Sequence, residues 1–140
     1  MIKILVFILF NSVLVHSQSV IGKWKNIDDN DGEAKAIVEI YEKDDKINGK
    51  ILEIFNPIDR ERLCVNCIGD DKNRPILGMV VIKGLEKNGK EFDSGTILDP
   101  KSGKHYKCYI ILESKDKLKV RGYYGFSLFG RTQYWYRIKN

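Results

Sequence analysis

Apolar and polar residues alternate with a period of two along most of this chain, and the 3.6-residue period of an amphipathic helix is almost absent. Eight segments carry the alternation: residues 20–27, 33–42, 46–55, 76–85, 91–98, 104–112, 118–124 and 131–138. In the second, Ala34, Ala36, Val38 and Ile40 fall on one face. Turn chemistry separates the segments. Asp44-Asp45 joins the second to the third, and Asn88-Gly89 is a strong hairpin signal. In Asp99-Pro100-Lys101-Ser102-Gly103, Pro fixes φ and Gly can take a positive φ at the exit. Residues 114–117 and 125–130 make the last two turns. Eight hairpin-connected strands with no helix to cover a sheet would expose two edges and one apolar face. Closure into an all-β, eight-stranded antiparallel up-and-down barrel removes both problems, and a β-sandwich is the main rival. Residues 56–75 break the rhythm; a loop this long in a compact domain is usually functional or disordered.

The first 17 residues stand apart. Met1-Ile2-Lys3 is followed by an apolar run from Ile4 to Phe10 and again from Val13 to Val15. A positive residue, an apolar run and then small residues make a secretory signal peptide, with cleavage expected after Ser17. Asn11 and Ser12 interrupt the run, which falls short of the roughly 20 apolar residues of a membrane span. No Cys follows the cut to carry a lipid anchor. Residues 18–140 then form one domain, exported to the periplasm or secreted, and large enough to bury a core. The chain has 24 basic and 19 acidic residues, an imbalance that permits an anionic partner without demanding one.

Cys64-x-x-Cys67 and Cys108 allow several readings. A zinc site would add His105, but His105 and Cys108 are three apart on a strand and point to opposite faces. A redox pair needs a helix N-terminus, and the turn-rich run 68–75 offers none. A Cys64–Cys67 disulfide inside the long loop suits an oxidising compartment and leaves Cys108 a buried thiol. Pairing of Cys108 with a loop Cys is the remaining alternative. Catalysis has little material: His105 is the one His after the expected cut, on a strand face directed outward, and Asp99 reads as a turn residue. No enzyme, no cofactor and no metal are expected. Lys115, Lys117, Lys119 and Arg121 put four positive charges on one outward face, with Lys107 and Arg131 as candidate additions. This is either a solvated exterior or a site for an anionic glycan. Nucleic acid is not expected, because no aromatic-and-basic recognition signature is present. Tyr106, Leu112, Leu118, Val120 and Tyr124 are expected to face inward.

Three motifs carry a family resemblance. They are Gly22-Lys-Trp24, then Gly95-Thr-Ile97-Leu-Asp99-Pro100-x-x-Gly103-Lys104-x-Tyr106, and finally Arg121-Gly122-Tyr123-x-Gly125 with Gly130-Arg131-Thr132-Gln133-x-Trp135. Together they resemble a widespread bacterial family of small secreted proteins classed as a domain of unknown function. The resemblance implies a lipocalin-like, or calycin, barrel, and it implies no reaction. It also implies that Trp24 is covered by Arg137 at the closed end, as in the calycin signature.

Two functions follow as expectations. One is a carrier holding a small, partly apolar ligand at the barrel mouth, with Tyr106, Tyr124, Val120 and Leu118 as candidate contacts and the 56–75 loop as the gate. The other is a non-catalytic module of the bacterial envelope that binds an anionic glycan or its own copy.

Overall fold

Period-two alternation resolves into strands in the computed structural model, which describes residues 19–126 and 128–139. The strands are β1 (Gly22–Ile27), β2 (Ala34–Lys43), β3 (Lys46–Ile54), β4 (Val80–Asn88), β5 (Glu91–Asp99), β6 (Lys104–Ser114), β7 (Lys117–Tyr123) and β8 (Gly130–Arg137). Each pairs antiparallel with its neighbour in sequence, and β1 pairs with β8 to close the barrel. The expected signal segment lies outside the described residues. Among the described residues no helix is long and apolar enough to cross a membrane.

Connection length separates the two ends. At one end the links are residues 44–45, 89–90 and 115–116. Asp44 and Asp45 both take positive φ, 52° and 60°, the two-residue hairpin geometry that matches strand twist. At the other end the links are residues 28–33, 55–79, 100–103 and 124–129. The long connection therefore crosses the mouth.

That connection is ordered by its own backbone bonds. Two 3₁₀ turns, Pro57–Asp59 and Gly69–Asp71, replace strand pattern. Leu63 and Pro75 bridge antiparallel, and Cys64 N donates to Arg74 O (2.8 Å) while Asn73 N donates to Cys64 O (2.9 Å). Cys64 and Cys67 are disulfide-bonded and both fully buried; Cys108 is a free, buried thiol. The lobe sits on the β5–β6 turn: Asn66 Nδ2 donates to Lys101 O (2.8 Å), and Cys64 Sγ lies 3.4 Å from Pro100 O. Gly103 is required there. It holds φ +71°, and a Cβ on it would lie 1.9 Å from Asn66 O.

Residues 76–79 depart from the expected fourth strand. The strand begins at Val80 because Gly78 turns at φ 85°. Gly78 N and Ile51 N instead exchange bonds with Ile51 O and Met79 O (2.7 and 3.0 Å).

Candidate functional site: the barrel mouth

The core fills the barrel from the short-turn end upward. Trp24, Ile40, Leu85 and Leu118 are wholly buried there. Trp24 Nε1 donates to Val20 O (2.9 Å), so burying the indole leaves no orphan donor. The Arg137 guanidinium lies over the ring, 4.3 Å from its centroid. The same guanidinium donates to the carbonyls of Ser19, Ile21 and Lys115 (2.6, 2.9 and 3.0 Å), tying the strand that enters the barrel to the β6–β7 hairpin. A planar cation with several donors can do both at once.

Above this floor the interior opens into a cavity of about 770 Å³ that reaches the long-loop end. Its deeper wall is apolar: Val38, Ile51, Val81, Ile97 and Val120 line it, with Trp135. Room comes partly from Gly122, where a Cβ would lie 3.2 Å from Ile97 Cγ2. Tyr106 and Tyr124 line the cavity higher up, ring against ring at 4.7 Å in an edge-on pair. Three of the four expected contacts, Tyr106, Tyr124 and Val120, thus lie on the cavity. Leu118 does not line it; it is paired with Trp135 in the β7–β8 register and buried in the floor below. Tyr124 is a rim residue rather than an inward one, 53% exposed.

One wall of the cavity is polar, and sequence reasoning missed it. On β8, Arg131, Gln133, Trp135 and Arg137 alternate with Thr132, Tyr134 and Tyr136, and the first set faces the interior. Gln133 Oε1 accepts from Asn26 Nδ2 (3.0 Å) and from Trp135 Nε1 (2.9 Å), and Gln133 Nε2 donates to Asp29 (3.2 Å). Arg131 makes a two-pronged pair with Asp29 (2.8 and 2.7 Å). Burial pushes the Asp29 carboxyl up, but the hydrogen bonds from Arg131 and Gln133, helped by the Arg131 charge, outweigh it and hold the group below the ordinary range. Arg131 therefore belongs to the mouth and does not extend the basic exterior row. In that row, Lys117 and Lys119 lie over the rings of Tyr134 and Tyr109 (4.6 and 5.6 Å), and Arg121 donates to Thr132 (2.8 Å).

The remaining chemistry-bearing residues lie apart. His105 is exposed on the outer wall and Cys108 is buried inside it. Burial pushes the Cys108 thiol up to about 12. Among the described residues no three His, Cys, Asp or Glu side chains gather where they could hold a metal ion.

No curated protein matches the sequence. Among solved structures, the fold is similar to protein HP1028 from the human pathogen Helicobacter pylori, described as belonging to the lipocalin family. The TM-score is 0.78 at 17% sequence identity, over 89% of this chain and 86% of that one. The barrel is thus lipocalin-like in fold. Residues 22–137 match the bacterial family described as "Uncharacterized protein conserved in bacteria (DUF2147)", and the chain belongs to that family.

Proposed function

We propose that this protein is an exported, non-catalytic carrier that holds a small, partly apolar molecule in the barrel mouth. The observation that carries the reading is the cavity: about 770 Å³, apolar in depth and polar at its entrance. That volume falls in the range of about 300–1,000 Å³ usual for small-molecule sites. The packed opposite end, with Trp24 beneath Arg137, supports entry from the long-loop side alone. A disulfide buried in the loop suits an oxidising compartment outside the cytoplasm. The non-catalytic part of the reading rests on His105 and Cys108 facing opposite sides of β6, so that neither can activate the other.

Native mass spectrometry of the protein isolated from its own envelope tests the proposal. A retained small molecule, released on denaturation, is expected. An empty protein whose melting temperature no envelope extract shifts would leave the interaction-module reading in its place.

A further inference from the structure

The polar wall of the cavity says what kind of head group it takes. Four acidic and four basic side chains line the cavity, so its entrance has no net charge to attract an ion. Arg131 is the cation next to the polar wall, and Asp29 already neutralises it through two short hydrogen bonds. A carboxylate entering there would lose its hydration, compete with Asp29 for that guanidinium and meet a like charge. A cation would find the Asp29 carboxylate engaged three times over, by Arg131 twice and Gln133 once.

What the wall does offer is amide hydrogen. Gln133 lies two residues below Arg131 on the same face of β8, about 7 Å deeper at a rise of 3.2–3.4 Å per residue. Its Oε1 is fully used by Asn26 and Trp135. Among the described residues its Nε2 makes one bond, to Asp29, and Asn26 Nδ2 makes one, to Gln133. Each carboxamide nitrogen carries two hydrogens, so each has one more to give, and both residues line the cavity. Val38, Ile51 and Ile97 line the same cavity and offer it no polar side-chain atom. We infer that the cavity selects an uncharged carbonyl compound bearing an alkyl or acyl chain. The Gln133 and Asn26 amides take its carbonyl oxygen, and its chain lies along the apolar wall. This rests on the carrier reading and narrows it.

Competition against N-phenyl-1-naphthylamine, an apolar fluorescent probe, separates the two ideas. The isolated protein is titrated at pH 7 with three competitors of equal chain length: methyl decanoate, decanoate and decylammonium. The ester is expected to displace the probe at a concentration about tenfold below either ion, the worth of a hydrogen bond or two plus the avoided desolvation of a charge. In Gln133→Leu, probe binding should persist while the ester advantage falls to about threefold or less. If the probe binds but decanoate or decylammonium competes as well as the ester, the head-group inference is overturned and the carrier reading stands. If the probe itself does not bind, both fall. Should Gln133→Leu fail to fold, the order of the three competitors on the natural protein decides the matter.

Discussion

Replacing Trp24 with Ala removes the largest wholly buried side chain of the barrel floor. Large-to-small truncation of a buried aromatic costs about 3–5 kcal/mol, because the lost transfer energy is joined by a cavity the neighbours cannot fill. Two local terms add to this. The Val20 carbonyl loses its indole donor, worth about 0.5–1.5 kcal/mol. The Arg137 guanidinium loses the ring 4.3 Å beneath it, worth about 0.5–2 kcal/mol. Allowing for overlap, the expected loss is about 4–6 kcal/mol, a large part of the about 5–15 kcal/mol that holds such a domain together. Urea unfolding followed through Trp135, the tryptophan that remains, reads it directly. With a slope near 2 kcal/mol per molar, the midpoint should fall by about 2–3 M. Trp24→Phe keeps a ring under Arg137 and loses only the indole N–H and part of the area, so it should cost about 1–2 kcal/mol. A Trp24→Ala loss below about 2 kcal/mol at unchanged slope would show that the floor repacks freely, and the account of a ring plugging that end would be wrong.

Gly103→Ala should cost about 2–4 kcal/mol, since it combines a left-handed backbone with a Cβ 1.9 Å from Asn66 O; a melt equal to the natural protein's would refute the contact. Mass mapping without reduction should find Cys64 joined to Cys67. Loss of so small a ring costs about 2 kcal/mol, and because both sulfurs are buried, the double Ser variant should be less stable than the double Ala variant. Asp29 is held below 3.8, its ordinary value, so its bonds to Arg131 and Gln133 stabilise the fold above that pH and are lost as pH falls toward the folded value. Asp29→Asn should therefore lower the melting temperature at pH 7 and make progressively less difference below about pH 3.8, which thermal melts across pH would show. Cys108, pushed to about 12, should resist iodoacetamide at pH 8 until the protein is unfolded; rapid native labelling would contradict its burial.

The strands were legible because a half-buried strand writes its burial as alternation, and the turns because Asp-Asp, Asn-Gly and Pro-x-x-Gly carry their own backbone preferences. The start of β4 was not, since Ile76, Leu77 and Met79 are as apolar as a strand while the turn at Gly78 is set by a tertiary pairing with Ile51. The polar wall was illegible for a different reason. Alternation in β8 reads backwards: Tyr134 and Tyr136 lie on the outer face, while Gln133 lines the cavity and Arg131 its exposed rim. One signal was available. Arg131 and Arg137 are six residues apart, so on a regular strand a position that places Arg137 over Trp24 places Arg131 inside as well. Leu118 faces inward but lies below the cavity, a depth the sequence does not show because it depends on stagger between strands, which composition does not encode.

Stitching at the barrel seam differs between its two ends. β1 and β8 share a backbone ladder only low in the wall, at Trp24↔Arg137 and Lys25↔Tyr136. Toward the mouth β8 is joined instead by side chains, Gln133 to Asn26 of β1, and Arg131 and Gln133 to Asp29 of the loop that follows β1. A ladder of peptide groups parts by fraying from an end, whereas side-chain links can let go through rotamer changes alone. The seam thus works as a zip sewn at the bottom and buttoned at the top. Its upper half rests on side-chain bonds, and three of the residues that make them, Asn26, Arg131 and Gln133, also line the cavity.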